Sequence, residues 1–558
     1  MKIFVAQQNY IIGDLKGNTT KIIEAIHMAK TQGADLAVFS EMSICGYSPQ
    51  DHLLVKSFIT EIEKCVHEIK AHTYDIAVIA GAPRPNTGTT GKALFNSAYF
   101  LYNNKVQAII DKTCLPNYDI FDEDRYFEPA TEWKVITFKG KKIALTICED
   151  IWNLGNHPLY RHCPMEKLME QQPDLMINIS ASPFNYRRTD ERKETVSRNV
   201  LKYHLPMVYC NAIGAQTELI FDGASLVFDK HGKLNHKLAQ FDEDYQLVTL
   251  TPDGTFEHPT PVNFTENNSV IQNPDHYHAD VNLSQMKEAI LLGIRDYFKK
   301  TGLTKAIIGN SGGIDSAVTI ALACEALGSE NVFSILMPSQ FSSDHSINDG
   351  KQLSENLKSP FYIIPIEPVY HRFLNVLDPV FSKLPFGVAE ENIQARTRST
   401  ILMAIANKLG YTLLNTSNKS ELSAGYGTLY GDMAGGLSVL GDCYKTQVYG
   451  LAGLINSEKE IIPQNILHKA PSAELRPDQY DQQSLPPYPV LDAILYQLIE
   501  CSKSEDEIAS LGYEPVIVRK VVNLLNRAEF KRHQFCPILR VSPKAFGSGR
   551  RIPVVNRF

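Results

Sequence analysis

Six short apolar runs in the first half of the chain constrain its fold more than any other feature. They read KIFVAQ, DLAVFS, DIAVIAGA, KIALTIC, DLMINIS and PMVYCNA. None alternates cleanly between apolar and polar residues. A strand that is apolar on both sides belongs to a sheet covered on both faces, which favours parallel pairing and helices between the strands. The segment NTTKIIEAIHMAK supplies such a helix, with Ile22, Ile23, Ala25 and Ile26 at helical spacing. The first half is therefore expected to be an α/β unit over residues 1–250.

Residues 251–280 change character. They carry TPDGTFEHPTPVNFTENNS and NPDHYHAD, rich in Pro, Asn, His and Asp, and are expected as a linker. A second unit, 281–558, then repeats the alternation of strand and helix. SQMKEAILLGIRDYFKKTG reads as a helix, KAIIGN as a strand and DSAVTIALACEALG as a helix; VFSILMP, YIIPI and TLLNTSN follow as strands. This order predicts a doubly wound parallel sheet with its site at the strands' carboxyl ends. At 558 residues the chain exceeds a single core, as two units require.

Composition excludes several classes. The formal charge of −7 argues against a nucleic-acid binder. No run of about 18 apolar residues predicts a membrane span, and MKIFVAQQNY carries no leader pattern. Ten scattered cysteines, without a C-x-x-C pair or zinc spacing, fit a reducing cytoplasm, where most serve as small buried hydrophobes.

The loop GNSGGIDSAV, Gly309 to Val318, joins the strand KAIIGN to the next helix. Gly312 and Gly313 allow close backbone approach, and Ser311 and Ser316 offer hydroxyl groups, as a phosphate site needs. The lysine of a Walker loop is missing, and a carboxylate, Asp315, stands there instead. A carboxylate beside phosphate calls for a cation, which makes Asp315 a Mg²⁺ ligand; the plain alternative is a helix cap.

The words SGGIDS resemble the ATP loop of pyrophosphatase-type adenylating enzymes, in which the loop grips the departing pyrophosphate. With EENIQARTR, NTSNKSELSAGYGTLYGDMAGG, CYKTQVYGLAGL, PSAELRPDQYDQQSLPPYPVLD, EFKRHQ and GSGRRIPVVNRF, the second half is similar to the NAD synthetase family. The resemblance implies a Rossmann-like ATP pyrophosphatase unit in which Gly309, Asn310, Ser311, Gly312, Gly313, Ile314, Asp315, Ser316 and Thr416 bind ATP. It further implies that Asn392, Glu421 and Lys531 contact deamido-NAD, and that Asp315 and Glu421 hold Mg²⁺. Asn392 and Arg396 share a helix face by their spacing. Asn310 replaces a residue that is more usually small and apolar in this loop.

In the first half, Glu41, Lys112 and Cys148 each stand at or just beyond the end of an apolar strand, so that three distant groups can converge. Amide hydrolysis through a thioester uses such a set: a thiolate, a base and an oxyanion donor. Their segments, VFSEMSICGYSPQD, DKTCLPNYDIFDEDRYFEP and ALTICEDIW, look like the Glu-Lys-Cys triad of the carbon–nitrogen hydrolase (nitrilase) family. The implied fold is an α-β-β-α sandwich. LPNYDIFDEDRYF is close to the glutaminase domain of glutamine-dependent NAD synthetases, which implies that Tyr118, Ser182 and Arg188 hold glutamine, with Arg187 as the alternative to Arg188.

The resemblance implies a ligase: glutamine yields ammonia, ATP adenylates deamido-NAD, and ammonia displaces AMP. It also implies a homo-oligomer. Two other readings stand beside it. One is another glutamine-dependent ATP-pyrophosphatase amidotransferase, acting on a GMP precursor or tRNA, the latter disfavoured by the acidic charge. The other is a nitrilase-type amidase fused to a nucleotide-sensing module, against which intact Asp315, Glu421 and Lys445 argue.

Overall fold

The six apolar runs become the parallel strands at the centres of two sheets. The computed structural model describes residues 1–154, 158–257, 277–278, 282–382, 384–477 and 479–556. It forms two units, Met1–Glu266 and Asn267–Phe558.

In the first unit one sheet runs Asp244–Thr249, Lys2–Gln7, Leu36–Val38, Ala77–Pro85, Leu94–Tyr102, Lys105–Asp111. Lys2–Gln7, Leu36–Val38 and Ala77–Pro85 are parallel neighbours, and antiparallel strands flank them. The other sheet runs Leu234–Lys237, Leu226–Phe228, Met207–Asn211, Leu175–Ser180, Lys141–Ile147, Ile136–Phe138, again with parallel strands at its centre. The sheets face each other through Val5, Leu36, Ile79, Leu145, Ile177 and Val208. The outer face of the first sheet, with Phe4, Ala6 and Val78, buries Ile22, Ile26 and Ile62 of helices Leu15–Thr31 and Lys56–Ala71. The outer face of the second, with Met176 and Tyr209, buries Met165, Val196 and Val200 of helices Pro164–Met169 and Arg188–Tyr203. Adjacent residues such as Phe4 and Val5 thus enter different cores, which is why these runs are apolar throughout. The layers are helix, sheet, sheet, helix, as expected.

Of the expected linker, 251–257 packs onto the first unit: Phe256 is buried in the inter-sheet core and Leu250 bridges it. Residues 258–276 and 279–280 lie outside the described residues.

The second unit is built on a parallel sheet ordered Phe361–Ile363, Val332–Leu336, Ala306–Gly309, Thr412–Asn415, Leu437–Ser438. In chain order this is 3-2-1-4-5, a doubly wound sheet. Its switch point lies between Ala306–Gly309 and Thr412–Asn415, where such sheets open a crevice at the strands' carboxyl ends. Helix Ile314–Leu327 starts from that crevice, and helix Val388–Leu409 covers the opposite face through Leu402 and Ala406.

Candidate active sites

Strand Lys141–Ile147 delivers Cys148 to the first site. The chain turns there from strand into the short helix Cys148–Ile151, and Cys148 adopts φ 44°. A non-glycine residue held in the left-handed region is over-determined by its surroundings. Asp150 does much of this: its carboxylate accepts from the N–H groups of Ile147, Thr113 and Cys114 at 2.8–3.0 Å. The same bonds tie the Cys148 turn to the segment that carries Lys112.

Lys112 and Glu41 are both fully buried, and Lys112 Nζ lies 2.8 Å from Glu41 Oε1. Glu41 Oε2 accepts from the Ala181 N–H at 2.9 Å, and Oε1 accepts from Asn96 at 2.7 Å. Gly81 makes room: a Cβ on it would stand 2.4 Å from Met42 N and 2.8 Å from the Cα of Glu41. Burial, then Glu41, pushes the Cys148 thiol well above its ordinary range, while Lys112 pulls the other way. Burial opposes the Lys112 charge, but Glu123 and Glu41 outweigh it and keep Lys112 cationic.

Glu123 was not among the residues expected here. It accepts from Lys112 Nζ at 2.7 Å and from Tyr47 Oη at 2.9 Å, and Asn96 reaches its other oxygen at 3.2 Å. Burial raises its carboxyl to about 7 despite Lys112. The run DEDRYF reads as a solvated acidic helix start, and nothing local marks Glu123 as inward-facing.

Of the expected glutamine contacts, Tyr118 and Arg188 meet the same turn, while Ser182 follows Ala181, whose N–H meets Glu41. Tyr118 Oη donates to Glu149 Oε1 at 2.8 Å, and Tyr160 Oη donates to it at 3.2 Å. Arg188 stacks its guanidinium 4.3 Å over the Trp152 ring. Glu149, buried beside Cys148, has its carboxyl raised by burial against the pull of Tyr118, Lys112 and Arg188. Ser182 Oγ is buried without a protein partner, while its N–H donates to Asn211. An orphaned hydroxyl of this kind is an open hydrogen-bonding position. Arg188 thus lies near Glu149, within reach of its charge.

The second site is a cavity of about 300 Å³ at the switch point, lined by Gly309, Asn310, Ser311, Gly313, Ile314, Asp315, Ser316, Thr416, Glu421 and Lys445 among others. Gly312 is not a lining residue. It turns with φ +68°, and a Cβ there would stand 2.1 Å from the backbone oxygen of Ser346, so only glycine fits. Asn310 is buried and serves the loop: it donates to Gly350 O at 2.9 Å and accepts from Gly312 N at 3.0 Å. Gly313 N donates to Ser311 Oγ at 3.2 Å, and Ser311 and Ser316 hydroxyls lie 3.1 Å apart.

Lys445 Nζ bridges Asp315 and Glu421, at 2.5 and 3.4 Å. Asn418 donates to Asp315 Oδ1 at 2.9 Å and caps helix Lys419–Ala424 through the Glu421 N–H. Burial and then Asp315 raise the Glu421 carboxyl to about 8. Asp481, also lining the cavity, has a buried Oδ1 with no partner. Two carboxylates sharing one cation, beside an unsatisfied carboxylate oxygen, suit a divalent ion whose other ligands are phosphate and water. Among the described residues no cluster of three or more His, Cys, Asp or Glu side chains is arranged to hold a metal alone.

Asn392 and Lys531 do not line this cavity. Asn392 accepts from Thr428 Oγ1 at 2.7 Å, and Lys531 donates to Gly425 O and Gly427 O at 2.7 and 2.6 Å. Arg396, one turn from Asn392, donates to Leu429 O, so the predicted shared face meets the 425–429 turn. Sequence reasoning missed two cavity cations. Arg398 is pushed down to about 10 by burial, and burial also lowers Lys469, which donates to Ser346 Oγ. Arg398 stands two residues from Arg396, on the opposite side of the helix, and Lys469 in HKAPSAEL carries no local mark.

Two family models match the chain: carbon–nitrogen hydrolase over residues 2–257 and NAD synthase over 286–535. A glutamine-dependent NAD⁺ synthetase from Synechocystis is 41% identical over 570 aligned residues, covering 100% of this chain and 99% of its own. One from Thermotoga maritima is 39% identical with the same coverage. The solved structure of glutamine-dependent NAD⁺ synthetase from Acinetobacter baumannii, in complex with ADP, is 34% identical with a TM-score of 0.77, covering 100% of this chain and 98% of that one. With likeness of this degree along its whole length, the chain belongs to the glutamine-dependent NAD⁺ synthetases.

Proposed function

We infer that the chain hydrolyses glutamine to glutamate and ammonia in its first unit, and in its second uses ATP and that ammonia to convert deamido-NAD to NAD, with release of AMP and pyrophosphate. The observation that carries this reading is the pairing of a buried Glu41–Lys112–Cys148 set with an Asp315–Lys445–Glu421 crevice, one per unit, in a chain matched end to end by glutamine-dependent NAD⁺ synthetases.

Cys148 Sγ attacks the side-chain carbonyl of glutamine, and its proton passes to Glu41. Lys112 has three N–H donors; two are held by Glu41 and Glu123, and the third serves the oxyanion. Glu41 then returns the proton to the departing nitrogen, which leaves as ammonia, and a thioester remains. Water, activated by Glu41, releases glutamate. Glu149 suits the α-ammonium of the substrate, Arg188 its α-carboxylate, and Ser182 Oγ supplies a further hydrogen bond.

In the crevice, the N–H groups at the start of helix Ile314–Leu327 have no intrahelical acceptor, and with Ser311 and Ser316 they suit the pyrophosphate of ATP. Asp315 and Glu421 would hold Mg²⁺, which when bound offsets negative charge on the leaving pyrophosphate. Lys445, Lys469 and Arg398 add cationic charge around the same oxygens. The nicotinate carboxylate displaces pyrophosphate from the α-phosphorus, and ammonia then displaces AMP. Asn392 and Lys531 hold the 425–428 turn and, through it, the dinucleotide side of the site.

The assembly is a homo-oligomer in this reading. Its support is a stripe on helix Glu367–Phe381: Val369, Phe373, Val376 and Val380 are all exposed at helical spacing. The cytoplasm is the expected setting. The test of the reaction is to supply ATP, Mg²⁺, glutamine and deamido-NAD and to measure NAD, AMP and ADP. NAD with equimolar AMP is expected; ADP as the nucleotide product would sink the reading.

A further inference from the structure

Glu421 and Lys445 come from different helices, and their separation needs a device that holds the helices in register. Helix Lys445–Ile455 begins at Lys445, so its first N–H groups have no acceptor of their own. Lys445 N donates to Ser420 Oγ at 2.9 Å. Thr446 N and Thr446 Oγ1 donate to Asp492 Oδ2 at 2.9 and 2.8 Å. Ser420 Oγ in turn donates to Asp492 Oδ1 at 2.5 Å. Asp492 is fully buried in helix Tyr488–Ile499. One carboxylate therefore ties the residue before Glu421 to the residue after Lys445. Four residues earlier on the same helix, the Tyr488 ring lies 5.3 Å from Lys445 Nζ, within cation–π range.

We propose that Asp492 is the positioning residue of the nucleotide site, setting the register in which Glu421, Lys445 and Asp315 face ATP and its cation. The inference rests on the reading of this crevice as an ATP site. Asp492 does not line the cavity; it acts through the two backbone segments that it joins. Its geometry rather than its charge is what matters. An asparagine there can still accept from Thr446 with its oxygen and donate to Ser420 Oγ, whose lone pairs can take both that N–H and Lys445 N.

The experiment compares the full chain with Asp492→Ala, Asp492→Asn and Ser420→Ala. It measures MgATP affinity by titration calorimetry, NAD formation from free ammonia, and thermal unfolding. Asp492→Ala is expected to weaken MgATP binding tenfold or more at temperatures well below its unfolding transition, and to lower kcat at saturating MgATP. Asp492→Asn is expected to stay within threefold of the parent, and Ser420→Ala to fall between. A folded Asp492→Ala with parental affinity, or Asp492→Asn no better than alanine, would overturn the proposal. If Asp492→Ala does not fold, Ser420→Ala decides, and unchanged affinity there also overturns it. Parent protein that fails to bind MgATP would instead defeat the functional reading.

Discussion

Lys112 Nζ lies 2.7 Å from Glu123 Oε1, with both side chains shut away from solvent. The lysine thus stands between two buried carboxylates, since Glu41 is 2.8 Å away on its other side. One ammonium cannot neutralise both, and burial raises the Glu123 carboxyl from its ordinary value to about 7. A group whose pKa is raised on folding contributes stability below its unfolded pKa and loses it as pH rises through the folded value. The stability advantage of the parent protein over Glu123→Gln should therefore shrink between pH 5 and 8. Calorimetric unfolding across that range checks the sign, and an advantage that grows with pH would contradict it. Glutamine-dependent turnover of the variant should also drop about 10²-fold, the scale of a misplaced oxyanion donor.

Cys148→Ala should abolish glutamine-dependent NAD formation and leave the ammonia-dependent reaction within about twofold, because the nucleophile lies in Met1–Glu266 and the nucleotide crevice in Asn267–Phe558. Parallel assays with glutamine and with ammonium chloride measure this. Loss of both activities in a folded variant would mean that the two chemistries are not separable.

Asp315→Asn should lower kcat/KM for MgATP about 10- to 100-fold with either nitrogen source, equivalent to about 1.4–2.7 kcal/mol of transition-state stabilisation. The amide keeps the hydrogen bond with Asn418 within reach but surrenders the charge that Lys445 and the cation require. Raising Mg²⁺ should recover part of the rate. A variant indifferent to Mg²⁺ at limiting concentration would remove Asp315 from the metal site.

Under the proposed assembly through helix Glu367–Phe381, Val376→Arg should disrupt self-association with little effect on folding. Val376 is 61% exposed in the middle of the apolar stripe, so the change relieves no core packing and costs an assembly its desolvated contact. Light scattering measures the outcome; a monomeric parent protein, or an oligomer left unchanged by the substitution, would overturn the proposed interface.

The chain's parallel strands and its glycine-rich loop were legible in the primary sequence. Their signals are local: a strand covered on both faces is apolar on both faces, and a tight loop beside a helix start needs glycine. Glu41 and Cys148 follow such strands, whereas Lys112 follows the half-exposed strand Lys105–Asp111 and was marked by its surrounding residues instead. The flanking antiparallel strands were not, since Lys105–Asp111 and Asp244–Thr249 are half exposed and lack a continuous apolar run. Neither was the burial of charge. Glu123 lies in an acidic run that reads as solvated, and Asp492 and Arg398 look like ordinary surface residues in print. Their fates depend on partners far away in sequence: Lys112, Asn96 and Tyr47 around Glu123, and Ser420 and Thr446 around Asp492. Burying an ionised group is unfavourable unless such partners converge on it. That convergence exists only in the tertiary structure.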